Sequence, residues 1–331
     1  MTPAPPRLSR RAILAGGAGL AAVACVAGGY ELVRDGTLPG QNTLARMTGA
    51  CGPGLAPPDG PLPSRHVVAF HSAYRRRDVQ MVTLIPAGVA SPAGLGVVIA
   101  LHGAGGNGAS QARGIAPAMT RAGVTAFAII CVDGGETYWH EHGDGDDPIG
   151  MIVHEVLPRA AAAGLRTTRI GICGESMGGY GALLIAERLA ARSTSGSGSG
   201  SAGTPVPGSG ATGHGTPPAV TAVAALSPAV FATYPDAKAA NAAAFDGPAD
   251  FARNDVVSGL GALRQVPAWI ACGTDDPFEP ETSLVRARLS ALTHRQVPGG
   301  IMAGCHDGAF WGRHWPTALE FISAHTFIRA H

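Results

Sequence analysis

From residue 95 onward, short uninterrupted apolar runs alternate with longer stretches of helical periodicity. The runs are "GLGVVIALHG", "VTAFAIICVDGG", "RIGICGES", "VTAVAALSPAV" and "VPAWIACGTDDPF". A strand that is apolar at nearly every position must be buried on both faces, and helices between such strands supply the cover. The intervening stretches fit: residues 108–122, "IGMIVHEVLPRAAAAG", "MGGYGALLIAERLAA" and "PETSLVRARLSAL", with "WPTALEFISAH" as the last helix. The rhythm predicts an α/β fold with a mainly parallel central sheet and helices on both faces. Upstream, "RHVVAFHS" and "RDVQMVTLIPAG" flank the charged turn Arg75-Arg76-Arg77-Asp78 and read as an antiparallel hairpin.

Three segments stand outside this rhythm. Residues 1–30 carry Arg10 and Arg11 before an apolar run with no charge until Glu31, the pattern of a twin-arginine export signal. The alternatives are a membrane anchor, or lipidation at Cys25, against which Ala22 stands where leucine is usual. Residues 31–63 are rich in Pro and Gly and read as a linker. Residues 193–218 are Gly/Ser-rich without apolar periodicity, and because the rhythm resumes beyond them they read as a disordered insertion in the 64–331 domain. The net charge of +1 gives no electrostatic reason to expect nucleic acid as a partner. Charged residues make up only 14% of the chain, against roughly 25% in an ordinary domain.

One serine is placed unusually. Gly174-Glu175-Ser176-Met177-Gly178 lies between a buried strand and a helix. Glycines on both sides permit a sharp strand-to-helix turn that holds a serine hydroxyl at a helix N-terminus, where unpaired N–H groups favour developing negative charge. A serine is a weak nucleophile without a base, so a histidine and an orienting carboxylate should follow it in the chain. Asp275 and Asp276 sit at the end of a later strand, before Pro277. His306, in the glycine-flanked "AGCHDGAFW", follows the last expected strand; His294 and His314 are its rivals.

The loop "LHGAGGN", which ends the first buried parallel strand, can turn a backbone N–H toward the same place. Ala104 N–H and Met177 N–H are the expected oxyanion donors, and His102 and Gly103 are candidate substrate contacts. No Gly-Lys-[Ser/Thr] follows that loop and no G-x-G-x-x-G occurs, so a nucleotide is not expected and no cofactor is required.

In order along the chain, "LHGAGGN", "HEVLP", "GESMGGYGALLIA", "GTDDPF" and "GCHDGAFW" resemble the α/β-hydrolase superfamily over residues 64–331. The similarity is to the branch of esterase D-type enzymes (S-formylglutathione hydrolases) and mycobacterial mycolyltransferases. It implies an α/β-hydrolase fold and serine acyl transfer with Ser176, an acid and His306. In the esterase D branch the acid is the second Asp of a Gly-x-Asp-Asp run, which maps to Asp276. The turn-fixing Pro277 directly after it points the same way. Mycolyltransferases use a glutamate and lack this run.

"DGGETYWHEHGDGDD", residues 133–147, gathers histidines and acids but matches neither His-Glu-x-x-His nor a calcium-loop template. It reads as a solvated rim loop with no metal. Tyr138 and Trp139 either contact an acyl chain or sugar or pack beneath the loop. Of six cysteines, Cys131, Cys173 and Cys272 fall in expected buried strands. A Cys272–Cys305 bond is one pairing open to an exported chain, although spacing does not determine connectivity. The reading is a serine esterase acting on a small-molecule, lipid or carbohydrate ester. Acyl transfer to a sugar hydroxyl and a non-catalytic binding protein on the same scaffold are the alternatives.

Overall fold

A computed structural model describes residues 51–195 and 217–327. The expected export segment therefore lies outside the described residues, as does all of the Gly/Ser-rich stretch except its edges. Eight strands form one sheet in the order β1-β2-β4-β3-β5-β6-β7-β8. The hairpin β1 (Ser64–Ser72) and β2 (Arg77–Ile85) pairs antiparallel, and β2 pairs antiparallel with β4 (Phe127–Val132). The rest is parallel: β3 (Gly96–Leu101), β5 (Arg166–Glu175), β6 (Ala219–Leu226), β7 (Ala268–Asp275) and β8 (Gly299–Cys305).

The two-residue strand period sorts the apolar runs onto two faces. Along β3, Val97, Ile99 and Leu101 join one buried cluster while Val98 and Ala100 join the other. On the first face lie α2 and α3 (Met177–Ser195), with Ile152, Val156, Leu183 and Leu184 packed inward. Here α2 is the continuous run Pro148–Met151, Ile152–Val156 and Leu157–Ala162. Its middle turn is π-helical, next to Pro158, which has no N–H to continue the α ladder.

The opposite face is covered by α1 (Gly108–Arg121) and α8 (Gly308–Thr326) through Ile115, Met119, Trp315 and Leu319. Between β6 and β7 the chain adds short helices that the apolar rhythm does not announce: α4 (Tyr234–Ala240), α5 (Pro248–Arg253) and α6 (Val256–Gly259). α7 (Glu279–Thr293) completes the set.

Residues 51–63 lie against the domain. Arg313 on α8 donates to the carbonyls of Pro53 (2.8 Å) and Cys51 (3.0 Å), and Thr120 donates to Pro61 O (3.0 Å). Cys51 is bonded to Cys305, across 254 residues. This corrects the Cys272–Cys305 pairing: Cys272 is a buried thiol on β7 outside any disulfide.

Candidate active site

At the end of β5 the chain turns sharply into α3, and Ser176 occupies the turn at φ 56°, a left-handed conformation that a non-glycine residue rarely adopts. The turn closes only because of its glycines. A Cβ on Gly174 would lie 2.1 Å from Gly178 O, and one on Gly178 would lie 2.1 Å from Leu101 O. Neighbouring strands pin the serine there: Ser176 N–H donates to Leu226 O at 3.0 Å, and Ser176 O accepts from Ala229 N and Tyr180 N, each at 3.0 Å. Such a residue stores about 1–3 kcal/mol, tolerated where the surroundings over-determine it.

The ring of His306, on the turn between β8 and α8, bridges the serine and an acid. His306 Nε2 lies 2.8 Å from Ser176 Oγ, and Nδ1 lies 2.9 Å from Asp276 Oδ2. Phe278 and Trp311 hold the imidazole between them, with ring centroids 5.1 and 5.2 Å away. Asp276 is 4% exposed, and its other oxygen accepts Phe278 N–H at 2.9 Å. Burial pushes its pKa up, but the bond to and charge of His306, with the Phe278 N–H, outweigh burial and hold the carboxyl below its ordinary range.

Asp275 points elsewhere, accepting the Thr274 hydroxyl at 2.9 Å. The rival histidines lie outside this group: His294 caps α7 and His314 packs beside Phe310 on α8.

A cleft of ≈ 470 Å³ opens over Ser176 and His306, bordered by the loop from His102 to Gly106. Gly103 is pressed onto the serine, where a Cβ would lie 3.2 Å from Ser176 Cβ. Ala104 lines the cleft, and Glu136 anchors the loop by accepting Gly105 N–H at 2.8 Å. Met177 is the first residue of α3, so its N–H has no acceptor within the helix.

Several expectations are corrected by burial. The His102 ring is 1% exposed: its Nε2 accepts Gly134 N–H at 2.8 Å, which leaves the proton on Nδ1 to donate to Gly103 O at 2.8 Å. His102 braces two loops and offers no free nitrogen to a substrate; burial lowers its pKa and keeps it neutral.

Tyr138 and Trp139 are 3% and 0% exposed, and packing is their role. Trp139 fills a slot left by two glycines, since a Cβ on Gly134 or Gly181 would come within 2.2 or 2.6 Å of its ring. Its indole N–H donates to His102 O at 3.3 Å, while Tyr138 packs on Tyr180, Phe231 and Phe245.

The 133–147 loop is likewise no solvated rim, because His140, His142 and Asp146 are buried. Arg75, from the hairpin turn, is itself 1% exposed and grips Asp146 with Nε and Nη2.

One residue of the cleft had no role assigned from sequence. Glu175 precedes the serine, and enclosure at the strand end raises its carboxyl to about 8. Gln111 Nε2 donates to it at 2.8 Å. Burial thus favours the neutral form of the acid beside Ser176. The letter was visible in the chain, but its protonation depends on burial, which outweighs the Gln111 hydrogen bond that favours the charged form.

No family model and no curated protein matches the chain. Solved structures do. A ferulic acid esterase superposes with TM-score 0.58 at 19% identity, covering 79% of this chain and 98% of its own. An S-formylglutathione hydrolase from Agrobacterium tumefaciens gives 0.58 at 13%, covering 82% and 99%. MPT51 of Mycobacterium tuberculosis gives 0.56 at 13%, covering 82% and 100%. Strand order, elbow and these superpositions agree, and the chain has the α/β-hydrolase fold.

Proposed function

We propose that this protein is a serine esterase that cleaves carboxylic esters or thioesters through an acyl-serine intermediate. The observation that carries the reading is the unbroken line from Ser176 Oγ through both His306 nitrogens to Asp276, at 2.8 and 2.9 Å. As Oγ bonds to the substrate's carbonyl carbon, its proton passes to His306 Nε2, and Asp276 stabilises the imidazolium. The carbonyl oxygen gains the charge and lies against Ala104 N–H and Met177 N–H. Collapse breaks the bond to the alkoxide or thiolate, which takes the proton from His306. A water then repeats the sequence on the acyl-serine, releasing the acid and restoring Oγ–H.

The ferulic acid esterase and S-formylglutathione hydrolase among the superposable structures support ester and thioester chemistry on this scaffold. We also place the protein outside the cytoplasm. The Cys51–Cys305 bond supports this, since disulfides persist in oxidising compartments. Among the described residues no helix is long and apolar enough to cross a membrane.

The test is labelling by a fluorophosphonate together with turnover of nitrophenyl esters of increasing acyl length. Both should vanish in Ser176→Ala, with turnover falling about 10³-fold or more. Labelling or turnover retained at the wild-type level in that variant overturns the reading.

A further inference from the structure

Away from the cleft, the loop after β4 meets the segment that enters α5. There His140, His142 and Asp250 are all buried, and one potential ligand atom from each lies within 4.8 Å of the others. The far side of every one of these groups is already held. His140 Nε2 lies 2.9 Å from Ala244 O and His142 Nε2 lies 2.9 Å from Thr137 O, so a backbone carbonyl orients each ring with Nδ1 on the side of the cluster, where His140 Nδ1 also has Asn254 Nδ2 at 3.3 Å and Glu141 O at 3.0 Å. Asp250 Oδ1 accepts from Asn254 Nδ2 and Arg253 Nη2, each at 3.0 Å, while Oδ2 accepts Asp246 N–H at 3.0 Å and lies 3.9 Å from His140 Nδ1. Asp246 is arranged in the same way: Oδ2 accepts Gly143 N–H at 2.7 Å, while Oδ1 lies 2.8 Å from His142 Nδ1.

Each Nδ1 thus has a carboxylate oxygen nearby, at 2.8 Å for His142 and 3.9 Å for His140, and these groups can share one cation. Protonating both histidines would stack two imidazolium rings with centroids 4.1 Å apart, which disfavours charging the pair. A single divalent ion bonded to neutral imidazoles meets both contacts at once. Orientation of each ligand by a backbone carbonyl or amide behind it is the usual support for a metal centre.

We propose that His140 Nδ1, His142 Nδ1, Asp250 and Asp246 form a structural zinc site that clips the loop after β4 to the α5 turn. Two nitrogens and two carboxylate oxygens suit tetrahedral Zn²⁺. Bonds of about 2.0–2.1 Å put such ligands about 3.4 Å apart, within side-chain adjustment of the spacings seen. The cluster borders a cavity of ≈ 320 Å³ that gives an ion a way in. Neither this site nor its test depends on the esterase reading.

Full-length protein stripped with EDTA and dialysed should take up one equivalent of Zn²⁺ per chain with Kd below about 1 μM. Its melting temperature should rise by several degrees, and Co²⁺ in its place should show tetrahedral visible bands. His142→Arg keeps a cation opposite Asp246 and so preserves the fold while removing a ligand; it should weaken Zn²⁺ binding at least about 100-fold. Asp250→Asn should do the same, with circular dichroism confirming that it folds. No uptake at 100 μM Zn²⁺ by wild type, or unchanged affinity in a folded His142→Arg protein, overturns the site and leaves protonation of His142 as the occupant.

Discussion

Replacing Cys51 by serine removes one covalent bond and tests how far residues 51–63 belong to the folded domain. The bond joins positions 254 residues apart, so in the unfolded chain it closes a very large loop. The chain-entropy relation assigns such a closure about 5.5 kcal/mol at 25 °C, an upper value because unfolded chains are not ideal coils. With roughly 2–4 °C of melting temperature per kcal/mol in a domain of this size, the loss corresponds to about 10–20 °C.

Turnover should suffer less. Cys305 adjoins His306, but Arg313 still holds Pro53 O at 2.8 Å and Cys51 O at 3.0 Å, and Phe278 and Trp311 still clasp the imidazole. A turnover loss under about tenfold is expected at temperatures where the variant is folded, equivalent to under 1.4 kcal/mol of barrier. Urea unfolding at 25 °C, followed by tryptophan fluorescence and compared at equal m-value, measures the stability term. Thermal melts and nitrophenyl ester turnover complete the comparison. An unfolding free energy within about 1 kcal/mol of wild type would refute the reasoning, showing that the strap is only loosely coupled to the domain.

Asp276→Asn should lower turnover about 10⁴-fold by leaving His306 in the wrong tautomer, while Asp275→Asn changes it less than tenfold; steady-state kinetics in the reverse order would move the acid to Asp275. The Glu175 carboxyl, raised to about 8 when folded, keeps its proton across a pH range in which the unfolded chain has lost it. Unfolding free energy should therefore fall as pH rises from about 4.5 to 8 and level off above. Urea midpoints at pH 5, 7 and 9 would show the decline, and Glu175→Gln should flatten it; an equal decline in the variant assigns it to other groups. Replacing Arg10 and Arg11 by lysine should leave precursor in the cytoplasm, and cell fractionation with unchanged delivery would exclude twin-arginine export.

Short-range chemistry made the buried strands and the elbow legible in the chain itself. A strand buried on both faces must be apolar at every step, as in the six-residue β3 and β4. The bend at Ser176 needs glycines within four residues of one another, because the backbone oxygens it skirts belong to the same turn and to the end of β3. The strand pattern and the two glycines each fall within a few residues, so they appear as letters in a row, although the oxygen that Gly178 skirts belongs to Leu101.

Which polar groups meet was decided by tertiary structure. His140 and His142 sit in a stretch that reads as hydrophilic, yet partners about a hundred residues later enclose them. The slot for Trp139 is cut by Gly134 on one side and Gly181 on α3 on the other. Cys305 bonds to a residue 254 positions earlier, and Glu175 holds its proton because burial at the strand end shuts out water, outweighing the Gln111 hydrogen bond that favours the charged form. Burial, pairing and protonation are properties of the surroundings in space. A side chain carries the same letter in water and in the core, and only the folded neighbours determine which of its atoms are satisfied and which charge it bears.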